Sequence, residues 1–355
     1  MRLRKIDFLR GIAILLVISV HHPVITKPVA GGWSGVDLFF VLSGFLVSGL
    51  LFSEYKRRSS VNIGRFFIRR GFKIYPLFYV TLIIVIFLNF INMNRWPETS
   101  RILSEVFFLQ SYFKGLINVT WSLAVEEHFY ILICLAWLVY ARMKTKLIES
   151  KAVYSIGVVI GLTCLTLRII NSINFPFEEQ THQFPTHYRI DSLMAGVMIA
   201  YTWNFHQEIF VDFMRKNNTL LWIASVILVS LPFYVGQRTL FMSTIGYSLL
   251  YIGYSILLSL FLTTESIDST LDRFLSTSIV DAIAKIGFYS YGIYLWHAVC
   301  LVYVLPVIIS FGRVPDITPL RFLIYAALGI GSGVFMSIIV EQPFLRLREK
   351  MFPHS

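Results

Sequence analysis

The sequence predicts an all-α, polytopic integral membrane protein with about ten transmembrane helices around a polar interior cavity. Two observations lead to this fold class. First, hydrophobic residues make up 56% of the 355 residues and charged residues only 14%, whereas soluble domains carry about 25% charged residues. Second, apolar runs long enough to cross a bilayer as helices recur almost from end to end. We therefore expect residues 1–355 to form one membrane domain without a fused soluble domain.

Ten apolar runs are candidate spans, with ends uncertain by about 2–4 residues. They cover residues 8–25, 35–53, 75–93, 122–141, 153–170, 190–204, 219–235, 245–264, 287–309 and 321–340. The first and the sixth are short or polar at one end. Residues 102–113 are too short and too polar to span, so we expect them at the membrane interface.

The basic residues predict the orientation of these spans. With a cytoplasmic N-terminus, 22 of the 31 Lys and Arg residues fall in cytoplasmic segments. This is the bias expected from the positive-inside rule, and ten spans then leave both termini in the cytoplasm of a cell with an inner (plasma) membrane. The net charge of +11 is explained by this topology, so nucleic acid is not expected as a partner. The three cysteines, at 134, 164 and 300, lie inside apolar runs at no metal-ligand spacing, which predicts neither a metal site nor a disulfide framework.

The first span, in RGIAILLVISVHH, has a cation at one end and two histidines at the other. Arg10 and His21 are eleven positions apart, which on a helix places them within ~20° of the same face and ~16 Å apart along the axis. Asp7 can pair with Arg10 from one turn before it. His22 would lie beside His21 at the outer rim. The alternative is that these polar residues only mark the two membrane edges.

Other spans also carry polar side chains that are costly to expose to lipid. They are Asp37, Glu126, Glu127, His128, Arg189, Asp191 and His297. The simplest packing gathers them around one interior cavity. Asp37 and His21 flank the same short outer loop, so we expect them to meet, with the carboxylate fixing the tautomer of the imidazole and raising its basicity. Structural interhelical pairs are the alternative for each residue taken singly.

Basic residues crowd the cytoplasmic entrance of the third span, in GRFFIRRGFKIYP. Spacings of three and four stack Arg69 or Arg70 with Lys73 on one helix face, which suits phosphate groups. Arg10 would lie at the same membrane depth. A cytosolic phosphate-bearing donor could dock there and extend a long arm toward His21. Plain positive-inside anchoring is the alternative.

The chain resembles the membrane-bound acyltransferase-3 family, which O-acylates bacterial surface polysaccharides and other glycans. The resemblance rests on KIDFLRGIAILLVISVHH, GVDLFFVLSGFL, FFIRRGFKIYP, TWSLAVEEHFY, YRIDSLMAG, YSYGIYLWH and EQPFLR, which run from residue 5 to 346. Together these motifs are far more specific than any one alone. The resemblance implies ten transmembrane helices and transfer of an acyl group, often acetyl, from cytoplasmic acyl-coenzyme A.

The family's functional positions carry over motif by motif. The resemblance gives His21 the catalytic role, with Asp37 and Glu126 as the acidic residues of the site, and Arg10 as the partner of His21 in the Arg-x10-His pattern. The Arg-x-x-Arg pattern departs here, because Arg70 is followed by Lys73; lysine keeps the charge but loses the bidentate fork. Donor binding is therefore expected from Arg10, Arg69, Arg70 and Lys73 as a group. The residues expected to line the cavity or bind substrate are Asp7, His22, Arg189, Asp191 and His297.

The expected function is O-acyl transfer, most simply O-acetyl transfer, to a hydroxyl of a cell-surface or lipid-linked glycan. His21 would act as general base, and an acyl-His intermediate is a second route. Acyl-coenzyme A is a co-substrate, no cofactor is permanently bound, and the expected partners are membrane lipid and the glycan acceptor. Some family members carry a fused extracytoplasmic esterase-like domain; this chain is expected to act alone or with a separate partner.

The sequence leaves two alternative functions. One is a transporter of a small polar or anionic solute, which would also bury charges but is expected to show two related halves. The other is a structural or lipid-binding membrane protein.

Overall fold

The computed structural model describes residues 4–21, 27–142, 152–312, 315 and 317–352, and every regular element among them is helical. The first helices are α1 (Arg4–His21), α2 (Gly35–Arg58), α3 (Ile63–Met93), α4 (Thr99–Val106), α5 (Trp121–Arg142) and α6 (Ala152–Asn174). The middle helices are α7 (Glu179–His182), α8 (Ile190–Phe205), α9 (Gln207–Lys216), α10 (Asn218–Tyr234) and α11 (Tyr247–Thr263). The last are α12 (Ile267–Leu275), α13 (Thr277–Phe288), α14 (Ser290–Val299), α15 (Leu305–Phe311), α16 (Thr318–Met336) and α17 (Gln342–Met351).

Irregular turns extend several of these helices without breaking them. Wider π-helical turns at Met242–Gly246, Cys300–Val304 and Ser337–Glu341 lead into α11, α15 and α17. Short 3₁₀ segments at Lys27–Ser34, Asn118–Thr120 and Thr186–Tyr188 lead into α2, into α5 and toward α8. π-helical turns often occur at functional sites, and one of these three ends in Glu341.

Seven helical stretches among the described residues are long and apolar enough to cross a membrane. An eighth span results if α9 and α10, which meet at a bend of 83°, count as one. The seven stretches are Gly31–Arg58, Ile63–Met93, Asn118–Arg142, Ala152–Asn174, Met242–Thr263, Ser290–Phe311 and Pro319–Met351. The protein is therefore a multi-pass helical membrane protein, as the sequence predicts.

Three of the ten predicted spans do not reach this length and composition on their own: the first, the sixth and the seventh, of which the seventh (α10) does so only together with α9. Four charged residues, Arg4, Lys5, Asp7 and Arg10, fall within the first seven positions of α1, so its apolar part is short. The helix α8 has only 16 residues. The segment expected at the interface forms the short helix α4, which is followed by turns.

The helix α8 is nevertheless one of the most closely packed helices, because glycines let it approach α2. A Cβ added to Gly44 would lie 2.0 Å from the Leu193 carbonyl oxygen, and one added to Gly196 would lie 2.2 Å from that of Val41. Contacts this short exclude any larger residue, and small residues at such crossings are typical of helix packing in membranes. This approach places the polar start of α8 against the start of α2.

Candidate active site

A pocket of about 150 Å³ lies among α1, α2, α3, α5 and α14. Its charged lining residues are Arg10, Arg70, Lys73 and Glu126, and we call these four residues the basic pocket. All four are predicted site residues from three different helices. In other proteins a volume of this size admits a benzene-sized molecule, so the pocket can take a phosphate group or a narrow chain but not a whole nucleotide.

A hydrogen-bonded network around Tyr130 fixes Arg70 and Glu126 in the basic pocket. The Tyr130 hydroxyl donates to Glu126 Oε2 at 2.8 Å and accepts from Arg70 Nη2. Ser43 Oγ lies 2.8 Å from the same hydroxyl and completes the network. The guanidinium of Arg70 also lies over the Tyr130 ring, 4.5 Å from its centroid. Arg70 Nε is buried without a hydrogen-bond partner, so it keeps an unused donor.

Two carboxylates hold the other cations of the basic pocket. Lys73 Nζ donates to Glu341 Oε1, and Ser337 Oγ donates to Glu341 Oε2 at 2.9 Å. Arg10 lies 3.8 Å from the Asp7 carboxylate, as the sequence predicts. The side chains of Arg10 and Lys73 each remain 23% exposed. They are therefore positioned by their partners and still accessible to a ligand.

Arg69 lies outside the basic pocket, although it adjoins Arg70 in sequence. It donates to the Phe352 carbonyl oxygen and, at 2.8 Å, to Glu349 Oε1. Successive helical residues differ by 100° around the axis, so Arg69 faces α17 while Arg70 faces the pocket. Of the predicted donor-binding residues, the structure brings together Arg10, Arg70 and Lys73 and directs Arg69 elsewhere.

His21 lies at the opposite end of α1 from the basic pocket, next to His297. The two ring centroids are 5.0 Å apart with the planes at 66°. His21 Nδ1 is 2.7 Å from the Val17 carbonyl oxygen. Since a carbonyl can only accept, Nδ1 carries the proton and Nε2 keeps its lone pair. The same argument applies to His297, whose Nδ1 is 3.2 Å from the Ile293 carbonyl oxygen and whose buried Nε2 has no partner.

The prediction that Asp37 contacts His21 is wrong, because Asp37 pairs with Arg189 instead. Asp37 Oδ1 accepts from Arg189 Nη2 at 2.6 Å, and Asp37 Oδ2 is buried with no partner. A full positive charge compensates a buried carboxylate better than a neutral imidazole does, and the Gly44–Leu193 approach brings Arg189 within reach. The support of His21 therefore comes from the Val17 carbonyl oxygen.

Arg189 and Asp191 belong to a second charged cluster. Arg168 Nη2 lies 2.8 Å from Asp191 Oδ2 and donates to Ser248 Oγ at 2.7 Å. The Arg189 guanidinium lies 4.1 Å from the centroid of the Tyr247 ring. All four charged side chains, Asp37, Arg168, Arg189 and Asp191, are at most 2% exposed, and we call them the ion-pair layer.

The predicted polar residues thus form separate groups rather than a single ring around one cavity. His21 and His297 do not line the basic pocket; Tyr294 does, and its ring centroid is 5.6 Å from that of His297. The Tyr294 hydroxyl donates to the Val119 carbonyl oxygen at 2.8 Å, with Ser122 Oγ 2.6 Å away. Tyr294 therefore stands between the pocket and the histidine pair. The predicted residue His22 lies outside the described residues.

The sequence reasoning did not single out Tyr130, Tyr294 or a role for Glu341. Tyr130 and Tyr294 lie within the motifs TWSLAVEEHFY and YSYGIYLWH, and Glu341 begins EQPFLR. The sequence does carry a signal for the two tyrosines, because a tyrosine in an apolar span has a hydroxyl that needs a hydrogen-bond partner. Among the described residues, no group of three or more His, Cys, Asp or Glu side chains is placed to hold a metal ion. The three cysteines are buried and free.

Comparison with known proteins identifies the class of the chain. The model of a family described as an acyltransferase domain matches residues 3–341. The chain therefore belongs to the acyltransferase-3 family, and the resemblance drawn from its motifs is confirmed. This membership agrees with an acyl-transferring enzyme rather than a transporter.

Two named relatives share this region. The chain is 28% identical over 325 residues to the peptidoglycan O-acetyltransferase OatA of Listeria monocytogenes, covering 86% of this chain and 50% of the relative. It is 26% identical over 326 residues to the O-acetyltransferase OatA of Staphylococcus aureus strain NCTC 8325, covering 84% and 50%. The chain thus spans about half the length of the curated relatives it matches. No solved structure matches it significantly.

Proposed function

We propose that the protein is an O-acetyltransferase that moves an acetyl group from cytoplasmic acetyl-coenzyme A to a hydroxyl of a surface or lipid-linked glycan. Peptidoglycan is the first acceptor to consider, because one relative is named for it. The observation that carries the proposal is the convergence of Arg10, Arg70 and Lys73 on one pocket, at one end of the helix whose other end carries His21.

The donor would bind through its phosphates at the basic pocket. Three cations and one carboxylate line this pocket, and charge-assisted hydrogen bonds to phosphate are among the strongest available. The pocket is too small for the nucleotide, which would stay at the membrane surface. The narrow pantetheine arm would enter and pass Tyr294 toward the histidine pair.

His21 would then act as the general base. Its Nε2 lone pair accepts the proton of the acceptor hydroxyl, the oxygen attacks the thioester carbonyl, and the carbon–sulfur bond breaks. The imidazolium then gives its proton to the coenzyme A thiolate, so His21 returns to its neutral form and no other reactant is needed. His297, whose ring centroid is 5.0 Å from that of His21, would help to hold the His21 ring in position for this transfer.

The proposal includes ten spans, a plasma-membrane location and cytoplasmic termini, with α1, α8 and the bent α9–α10 pair completing the seven long stretches. Contacts among the charged segments support this topology. Arg4 donates to Asp272 and Asp281, and Arg215 to Glu265; all five residues fall on the side assigned to the cytoplasm. Tyr112 and His187, both assigned to the outer side, are bonded at 3.1 Å.

The test is acetyl transfer by the purified full chain in lipid nanodiscs, with His21→Ala beside wild type. We expect His21→Ala to lose about 10²–10⁴-fold in rate, the usual contribution of general base catalysis. His187→Ala removes an exposed histidine of the outer side and should keep full activity. Mass spectrometry of surface glycans from cells with and without the gene identifies the acceptor and the added group. Retained activity in His21→Ala would refute the catalytic role.

A further inference from the structure

A second, larger depression opens away from the basic pocket, between the turns that follow α4 and the segment around α7. Its volume is about 720 Å³, within the range of small-molecule sites. It is lined by side chains of Gln110, Lys114, Phe177, Glu179, Gln180 and Arg238, among others. Of all its lining residues only Asn118 belongs to a candidate span, as its first residue, so the depression lies at the end of the spans rather than among them.

Two amide groups in its wall have unused hydrogen-bonding capacity. Gln110 is only 2% exposed; its Nε2 donates to the Thr120 carbonyl oxygen at 3.1 Å, while its Oε1 has no partner. Gln180 Nε2 is likewise buried without a partner. A buried polar atom left unpaired costs free energy that a bound polar ligand recovers. The wall therefore contains two amides with spare hydrogen-bonding capacity, which a polar ligand can use once their side chains turn toward it.

Glu105 fixes the rim of the depression. The backbone N–H groups of Leu116 and Ile117 donate to its Oε1 at 2.9 and 3.0 Å, and the Thr120 hydroxyl donates to the same carboxylate. A Cβ on Gly115 would lie 2.3 Å from Glu105 Oε1, so glycine is needed for this close approach. The rim is held in one shape before any ligand arrives, which lowers the cost of binding.

The wall of the depression also packs against the first residue of α5. Phe184, in this wall, stacks on Trp121 with centroids 4.8 Å apart and planes at 10°. Trp121 begins the helix that also carries Glu126 of the basic pocket. The depression and the basic pocket therefore adjoin the same helix.

We propose that this depression is the docking site for the sugar chain of the acceptor. Amides and carboxylates suit the hydroxyl and acetamido groups of a glycan, and the half-buried Phe177 ring offers an apolar face for a sugar ring. The polar lining excludes a lipid tail. This inference rests on the proposed function, because it assigns the place where that reaction's acceptor binds.

The first experiment measures binding without any acyl transfer. A soluble peptidoglycan glycan fragment freed of its stem peptides is titrated into the full chain in nanodiscs, with Phe177→Ala and Gln180→Ala beside wild type. We expect each substitution to raise the dissociation constant by about tenfold. The control is Phe175→Ala, in the same segment but 62% exposed and not part of the lining; it should bind like wild type.

The second experiment measures kinetics of transfer to the same fragment. Phe177→Ala and Gln180→Ala should raise the KM for the glycan about tenfold and leave kcat and the KM for acetyl-coenzyme A unchanged. Equal glycan affinity in wild type and both variants would overturn the docking site, as would binding that requires the stem peptide. If the variants lose binding while wild type transfers nothing, the docking site stands and the proposed reaction fails.

Discussion

The ion-pair layer and the basic pocket contain the same kinds of residue and differ in accessibility. In the ion-pair layer, Arg189 and Asp37 are each 2% exposed and bonded to each other at 2.6 Å. In the basic pocket, Arg10 and Lys73 are each 23% exposed, and their carboxylate partners Asp7 and Glu341 lie behind them, outside the lining. A buried charge that is paired with its counter-ion holds helices together. A charge that is positioned by its partner but still accessible can also bind a ligand.

The largest expected effect is on stability, in the ion-pair layer. Arg189→Ala leaves Asp37 buried without a counter-ion, so we expect the free energy of unfolding to fall by about 3–5 kcal/mol. Arg101→Ala, which breaks an exposed pair with Glu98, should cost less than about 1 kcal/mol. Thermal unfolding in detergent measures both. An Arg189→Ala protein as stable as wild type would contradict the structural role of the ion-pair layer.

A smaller effect concerns Glu105, a buried carboxylate held by N–H and O–H donors rather than by a cation. Burial raises the pKa of Glu105 from 4.5 to about 7, despite these donors. The unfolded chain therefore loses this proton at lower pH than the folded protein does. The free energy of unfolding should fall as the pH rises from about 4.5 to 7, by up to about 3 kcal/mol.

Glu105→Gln cannot titrate, so comparing it with wild type isolates the contribution of the Glu105 carboxyl. The difference in unfolding temperature between wild type and Glu105→Gln, followed from pH 5 to 8, should change across this window and be constant above it. A difference that does not vary with pH would show that Glu105 keeps an ordinary pKa.

The smallest expected effect tests the lysine that replaces the family's second arginine. Lys73→Met should weaken binding of acetyl-coenzyme A by about tenfold, because one cation of the basic pocket is lost. Lys73→Arg keeps the charge and can still bond Glu341, so it should bind within about threefold of wild type. Isothermal titration of the donor measures both. Equal affinity in Lys73→Met and wild type would remove Lys73 from the donor site.

The sequence predicts the helical membrane class and most of the basic pocket, because motif positions and helix spacing carry that information. Arg10, Arg70 and Lys73 share one pocket as expected, and Asp7 pairs with Arg10 through a local spacing of three. The choice between Arg69 and Arg70 depends on the rotation of α3 about its axis, which packing against α17 sets. Spacing alone could not decide it.

The sequence also does not predict the partner of Asp37. Arg189 is 152 positions away, and its approach depends on the Gly44–Leu193 and Gly196–Val41 contacts between α2 and α8. His21 was closer along the outer loop, so proximity in sequence favoured the wrong pair. The roles of Tyr130 and Tyr294 also depend on tertiary contacts. From the sequence alone, a tyrosine in an apolar span cannot be told from a hydrophobic core residue, because the partner of its hydroxyl is unknown.

Donor binding by Arg70→Gln and Arg69→Gln shows whether acetyl-coenzyme A binds at the basic pocket, because these neighbouring arginines face different sides of α3. The affinity for acetyl-coenzyme A is measured by titration of the purified full chain in nanodiscs at fixed salt. We expect Arg70→Gln to weaken binding by about tenfold or more and Arg69→Gln to bind like wild type. Equal affinity in Arg70→Gln and wild type, or an equal loss in both variants, would contradict donor binding at the basic pocket.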